Sequence, residues 1–334
     1  INGVEARRRA PWFSGSNPCC DILLPNQGFC NLVEVDIAKF KNNPARLHHV
    51  IKIMARANYR QTCVDLRDGI LQDAWHQNNQ HLHLCGVGLT GIAQRDDMSD
   101  YDIMELQRVA THEAMKMADE LGLPRPKNVT TVKPSGTLSK IMDTTEGVHK
   151  PLGKYIINRV VFGRLDPLVD KLRDAGYPVE KHPQQPDAVL VSFPVKFDNV
   201  KFDKKNIMLN GKQVEIECNL ESAIKQLERY KKWQVNWCQQ NVSNTISYSP
   251  DEVEDIVDWL LDNWDCYVGV SFLYRYDPTM RAEDMGSAYL PQTVVTKGEY
   301  DALMQNISEV ILDDGTEGDI DAGSECAGGT CPIK

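Results

Sequence analysis

Asn17, Cys19 and Asp21 alternate within the stretch S-N-P-C-C-D-I-L-L-P-N-Q-G-F-C-N-L-V-E, residues 16–34, and their types suit chemistry. In extended chain, side chains two apart point to the same face. An amide, a thiol and a carboxylate would then look into one cavity. A second thiol, Cys30, follows across the turn Pro25-Asn26-Gln27-Gly28 and can approach from the returning limb. Together they offer a hydrogen-bond donor, a sulfur for radical or nucleophilic chemistry, a proton acceptor and a second sulfur. Two buried cysteines flanking a hairpin would use the same residues, because a cysteine thiol is commonly a small hydrophobe.

Two further groups carry chemical potential. Lys133–Ser139 reads K-P-S-G-T-L-S, a short strand (Val129–Val132) running into Pro-Ser-Gly-Thr. Backbone N–H groups and hydroxyls at a helix start form an anion site, and Ser135, Gly136, Thr137 and Ser139 are the candidates. An ordinary capped helix start uses the same residue types. Near the C-terminus, Cys326 and Cys331 form a C-x4-C pair after Asp313–Glu325, a segment with six acidic residues and no basic one. Such a segment buries little. Zinc wants four ligands, and no second Cys pair or His pair accompanies these two. An exposed dithiol suits thiol–disulfide exchange, which depends on access.

No metal site is expected elsewhere: the eight histidines show no H-E-x-x-H or comparable spacing. Leu84–Gly91, L-C-G-V-G-L-T-G, has neither G-x-G-x-x-G nor the Walker lysine, so close backbone packing is the expectation. The remaining cysteines, Cys63, Cys85, Cys218, Cys238 and Cys266, read as core residues.

The elements that must position these groups read as α/β. Leu47, Val50, Ile51 and Met54 mark a helix over 44–57. Ser99 caps a second helix, from Tyr101 to Leu121, which Gly122 stops. Strand-like pairing is expected around Ile22–Leu24 and Phe29–Val35, and a buried strand at Ala188–Phe193. Asn219 is read as the cap of a helix running to about Tyr230, and Ser249-Pro250 as the start of another. Alternation of strands and helices predicts some parallel pairing. The chain has 334 residues, 42% hydrophobic and 25% charged, which predicts a globular core. Its net charge of -10 argues against a broad nucleic-acid or membrane surface. No apolar run is long enough for a transmembrane helix. Ten cysteines without a secretory signal suggest thiols kept for chemistry and a cytoplasmic location.

N-P-C-x-D-I with G-x-C-N-L resembles the catalytic finger of ribonucleotide reductases. K-P-S-G-T-L-S and the terminal C-A-G-G-T-C-P-I-K resemble the same family, specifically its adenosylcobalamin-dependent (class II), monomeric triphosphate-reducing branch. The resemblance covers the C-terminal half of such an enzyme, and with Ile1 as first residue the chain reads as a fragment or one piece of a split protein. It implies part of a ten-stranded α/β barrel with a central finger loop over residues 1–312, and a redox tail over 313–334. It implies reduction of ribonucleotides to deoxyribonucleotides, with adenosylcobalamin as cofactor. Cys19 would carry the thiyl radical, Asp21 accept the 3′-hydroxyl proton, Asn17 bind substrate, and Cys30 give up electrons with a partner cysteine in the missing N-terminal half. The Ser135–Ser139 loop would bind substrate phosphates. Cys326 and Cys331 would shuttle electrons from a thioredoxin-like reductant. Two positions depart from the family pattern: Asp21 stands where Glu is usual, and Cys20 where a small residue is usual. A class I large subunit would carry an adjacent Tyr-Tyr pair where this chain has Phe272-Leu273-Tyr274-Arg275-Tyr276. A glycyl-radical enzyme would need an R-x-x-G-Y-type site and a four-cysteine zinc site. A non-catalytic fragment that binds a complementary half is the reading from a different class.

Overall fold

The structure, a computed structural model, describes residues 4–67, 69–209, 211–275 and 277–310. Cys326, Cys331 and the acidic segment before them lie outside the described residues. The chain divides into two compact units, Ile1–Lys150 with Glu221–Arg275, and Pro151–Leu220 with Tyr276–Lys334.

The first unit is built on parallel pairing. Val33–Asp36 lies parallel to Val87–Thr90, and Val87 bridges in parallel to Thr130. Val132 bridges to Val242, and the chain beyond it, Thr245–Tyr248, pairs in parallel with Ser271–Tyr274. Segments 33–36, 87–90, 129–132, 242–248 and 271–274 therefore stand side by side in that order. The two middle segments join by single bridges because side chains take part of their hydrogen bonding. Gln239 Oε1 accepts from the Val129 N–H at 2.7 Å, and the Thr130 hydroxyl donates to the Trp237 carbonyl. A closed ten-stranded barrel is not among the described sheets.

Helices cover the apolar side of this array. Pro44–Gln61 is four residues longer than its apolar spacing implied, and the Asn43 side chain accepts from the Arg46 N–H to cap it. Asp100–Leu121 begins with a Ser99/Asp102 capping box and ends at Gly122, whose φ of 64° is left-handed. Ile51, Ala55, Leu106 and Ala110 on these helices pack with Val35, Val87 and Leu89 from the strands. A later helix of the unit, Ala223–Asn236, is capped by Ser222 and not by Asn219. Ser222 Oγ reaches the Lys225 N–H. The Ser249-Pro250 start holds, with Glu252 completing a capping box before Val253–Asp262.

The second unit is antiparallel, which the strand and helix alternation did not signal. Tyr155–Gly163 is flanked by Gln292–Val294 and Ala188–Lys196, and Val179–Lys181 pairs with the latter's outer edge. The strand expected at Ala188–Phe193 is thus present and runs to Lys196. Helix Pro167–Asp174 buries Val169 and Leu172 against Val189 and Val191. A hairpin, Asp203–Leu209 with Lys212–Cys218, completes the unit's regular strands.

Candidate active site

Asn17 and Asp21 come together, but by a turn and not by strand alternation. Regular pairing is limited to Gly15–Ser16 with Leu23–Leu24 on either side of the loop. Between them the Cys20 N–H donates to the Asn17 carbonyl at 2.9 Å, and Cys20 takes a left-handed φ of 58°. Asn17 Oδ1 accepts from the N–H groups of both Asp21 and Ile22 at 3.0 Å. This is the local side-chain-to-backbone competition that favours Asn in turns over strands. The amide's other end, Nδ2, donates to Asp21 Oδ1 at 2.5 Å and faces Cys30 Sγ at 3.9 Å. One asparagine thus shapes the loop, holds the carboxylate and meets the second thiol.

The loop is pinned from behind by three polar residues of neighbouring segments. Asn241 Nδ2 donates to the Cys20 carbonyl at 2.7 Å, and the Thr131 hydroxyl donates to the Asp21 carbonyl at 2.7 Å. Gln240 Oε1 accepts from the Leu23 N–H at 2.9 Å. Asn241 is itself fixed by the hydroxyl of the buried Tyr230. The Cys30 limb has its own anchor: Asn31 Nδ2 donates to the Leu84 carbonyl, and the wholly buried Asn58 donates to Asn31 Oδ1. None of these anchors stands out in the sequence, since polar side chains inside an array are recognisable only once the partner backbone is known.

Exposure differs sharply over three residues. Cys19 is exposed, Cys20 is partly covered, and Asp21 is wholly buried. Burial raises the Asp21 pKa above the ordinary carboxylate value, against the Asn17 hydrogen bond, its own backbone N–H and the charge of Lys133. Its Oδ2 has no hydrogen-bond partner. Burial also pushes the Cys30 thiol up to about 12, with the charges of Asp21 and Cys19 adding and Lys133 opposing. Cys30 is therefore a protonated thiol at neutral pH.

Two charged residues that sequence reasoning left unassigned belong to this group. Glu34 raises its carboxyl pKa through burial, while Lys133 and the Ser135 hydroxyl lower it. Lys133 Nζ lies 3.6 Å from Glu34 Oε2. The available signal was the strand V-E-V-D at Val33–Asp36: Val35 joins the core, yet Glu34 and Asp36 on either side of it are also buried. Acidic residues alternating with core valines on a strand covered on both faces mark a polar interior.

The Ser135–Ser139 loop precedes and opens a short helix, Gly136–Ile141. Ser135 sits at its cap position with φ 73°, makes no side-chain cap bond, and keeps its Oγ buried without a hydrogen-bond partner. Ser139 is wholly buried and donates to the Gly136 carbonyl at 2.8 Å, so its hydroxyl is turned into the turn itself. The left-handed φ of Gly136, 31°, and the helical backbone of Thr137 place both at the helix start. His149 fits a core histidine: its Nε2 accepts from the Thr245 N–H, and burial lowers its pKa to about 4. Among the described residues no three His, Cys, Asp or Glu side chains are grouped to hold a metal ion, and no helix is long and apolar enough to cross a membrane.

No family model matches the chain. It is similar to the adenosylcobalamin-dependent ribonucleoside-triphosphate reductase of Lactobacillus gasseri, 26% identical over 353 aligned positions that cover 96% of this chain and 45% of that protein. The enzyme of the same description from Lactobacillus acidophilus is 27% identical over 96% of this chain. That from Euglena gracilis is 26% identical over 88% of this chain and 38% of its own length. A crystal structure of a B12-dependent (class II) ribonucleotide reductase superposes with a TM-score of 0.74 and 22% identity, over 90% of this chain and 43% of that one. Over nearly its whole length the chain is therefore similar to class II ribonucleotide reductases, the family its motifs resemble, and it has an α/β fold like that of the solved one. It spans about half the length of the curated relatives it matches.

Proposed function

We propose that this chain forms the thiol-bearing half of a class II ribonucleotide reductase that reduces ribonucleotides, as triphosphates, to 2′-deoxyribonucleotides. The observation that carries the reading is the assembly of Asn17, Asp21 and Cys30 around one amide, with Cys19 exposed beside them. The parallel array supports a place within a ten-stranded barrel. Its terminal strand Ser271–Tyr274 is exposed along its whole length, an edge that further strands from the remaining half of the enzyme would cover.

The exposed Cys19 thiol fits a sulfur that must meet a group outside the loop, and no other residue of this chain is assigned to the cofactor. Adenosylcobalamin, when bound, supplies the radical equivalent that makes Cys19 a hydrogen-abstracting group. The chain's own residues then act on the substrate. Cys19 sulfur removes the 3′ hydrogen. Asp21 accepts the 3′-hydroxyl proton, which promotes loss of the 2′-hydroxyl as water. Asn17 orients Asp21 and is placed to hydrogen-bond the sugar. Cys30, with a partner cysteine supplied by the other half, provides two electrons and two protons and ends as a disulfide. Cys19 then returns the hydrogen it took to the 3′ carbon and is left as the sulfur radical with which the cycle began. Burial of Asp21 makes its basicity higher than that of a carboxylate in water, which suits a proton acceptor shielded from solvent.

The helix start at Ser135–Thr137 is assigned to the substrate phosphates, with Ser139 holding the turn. We assign Cys326 and Cys331 to recharging the Cys30 disulfide from a thioredoxin-like reductant in the cytoplasm. The decisive experiment mixes the chain with candidate complementary halves and measures deoxynucleotide formation with and without adenosylcobalamin. Cofactor-dependent product supports the reading. Formation of a complex that makes no product under either condition would favour the non-catalytic fragment.

A further inference from the structure

The buried ion pair beside the loop has no task in the reaction just described. Glu34 has a side chain with no exposed surface, and Lys133 is 17% exposed. Lys133 is held by geometry on two sides. A Cβ at Gly88 would stand 3.2 Å from Lys133 Cγ and 3.4 Å from Cδ, so the lysine stem lies over bare backbone. A Cβ at Gly147 would collide with the Lys133 carbonyl oxygen. Both glycines leave room that a larger residue would take from this lysine. The surrounding polar atoms are not saturated: Asp21 Oδ2, both Glu34 oxygens and Ser135 Oγ are buried without hydrogen-bond partners. Such a set is costly unless a charge compensates it.

Lys133 acts on every member of the cluster. Its charge favours ionisation of Asp21, Glu34 and Cys30 alike. Besides Lys133, Asn17 and its own backbone N–H act on Asp21, and the charge of Asp21 in turn bears on Cys30, Glu34 and Cys238. We propose that Lys133, anchored by Glu34, is a positioning residue that serves as the shared counter-charge of the site, holding Asp21 as the ionised acceptor and easing removal of the Cys30 proton. The roles of Asp21 and Cys30 rest on the reading above; the counter-charge does not. A charge at a few ångströms inside the protein exerts a far stronger pull than the same charge in water. One lysine can therefore lower the proton affinity of a carboxylate and a thiol together.

The test uses the full chain and does not require turnover. Alkylation of Cys30 by iodoacetamide is followed across pH by peptide mass spectrometry, with Cys63 as internal reference. Lys133→Gln should slow Cys30 labelling about tenfold at a given alkaline pH if the thiol pKa rises by about one unit. Lys133→Arg should keep most of the wild-type rate. Glu34→Gln leaves the lysine uncompensated and should speed labelling. A merely structural pair would loosen the site in either variant and speed labelling in both; that result, or no change in either, overturns the proposal. In the complemented enzyme, Lys133→Gln should move the acidic limb of kcat/KM to higher pH and Glu34→Gln to lower pH. Opposite labelling shifts with an immobile acidic limb would keep the counter-charge and remove Asp21 as the proton acceptor.

Discussion

The loop at Asn17–Asp21 and the loop at Ser135–Ser139 border the same carboxylates and solve their backbone problem in opposite ways. Each contains a non-glycine residue in the left-handed region, Cys20 at φ 58° and Ser135 at φ 73°. The first loop is held by others: Asn241 and Thr131 donate to its carbonyls, and Gln240 accepts from the N–H of Leu23 just beyond it. The second is held by itself, through Ser139 to the Gly136 carbonyl, and leaves Ser135 Oγ with the Glu34 carboxylate as its neighbour but no hydrogen bond of ordinary geometry. A loop pinned by buried side chains is preorganised before any ligand arrives. A loop whose buried hydroxyl meets only a carboxylate at poor geometry can turn that hydroxyl to a ligand.

The comparison breaks most visibly at the sulfurs of the first loop. Cys19→Ser should abolish deoxynucleotide formation in the complemented enzyme while nucleotide binding persists, because serine is nearly isosteric and cannot carry reversible thiyl chemistry. Ordinary turnover in that variant would remove Cys19 from the mechanism. Cys30→Ser should fail with thioredoxin and with a small dithiol alike. The paired change Cys326→Ser with Cys331→Ser should permit about one turnover with thioredoxin, and a small diffusible dithiol should restore cycling, since exchange depends on access.

Asn17→Ala comes next. It removes the acceptor for two backbone N–H groups and the donor to Asp21. Buried groups left unpaired cost about 1–3 kcal/mol, so urea unfolding should show a loss in that range or above. Asn241→Ala strips the Cys20 carbonyl of its partner from the other side and should cost a similar amount. If pinning and shaping are one device, the double variant should lose less than the sum. Strict additivity would mean that the loop keeps its shape without its external anchors.

Asp21→Asn tests the electrostatics with a definite sign. Burial raises the Asp21 pKa, so the stability tied to this group is fully present below the ordinary carboxylate value of 3.8 and is lost as pH rises through the raised value. Asn mimics the protonated form at every pH. The variant should therefore melt higher than wild type at pH 7, and the gap should close toward pH 4, while activity is lost. A gap that is independent of pH would show that the carboxylate is fully compensated where it sits.

How far these loops were legible follows from what kind of bond makes them. The candidate set Asn17, Asp21 and Cys30 could be read from types and spacing, although the geometry that joins them is an asparagine turn and not an alternating strand. Helix limits carried by local caps were legible too: Ser99 and Gly122 bound their helix as read. Where the cap depended on competition between neighbours, Ser222 displaced Asn219. The antiparallel sheet around Tyr155–Gly163 and the anchors Thr131, Gln240 and Asn241 were not legible. Their contacts span as many as 221 residues of sequence, as between Asn241 and Cys20, and no local pattern encodes such a pairing. Lys133 and Glu34 fall between: their burial was hinted by V-E-V-D, but their meeting required the parallel register of Val33–Asp36 with Val87–Thr90.

The smallest effect belongs to the second loop and carries its own sign reversal. Ser135 bears two local penalties, a left-handed backbone and a buried hydroxyl whose contact with Glu34 falls short of an ordinary hydrogen bond. A non-glycine residue in that conformation is disfavoured by about 1–2 kcal/mol. Ser135→Gly relieves both penalties and should stabilise the chain by about 1 kcal/mol after the added flexibility of the unfolded glycine is discounted. Ser135→Ala removes only the hydroxyl and keeps the strained backbone, so its gain should be smaller. If the hydroxyl awaits a substrate phosphate, both variants should raise KM for nucleotides even as thermal stability increases. Gly136→Val, which places a branched side chain beside the same N–H groups, should raise KM further. A more stable Ser135→Gly chain with unchanged KM would mean that the loop is strained for some reason other than binding, and the phosphates would have to be sought elsewhere.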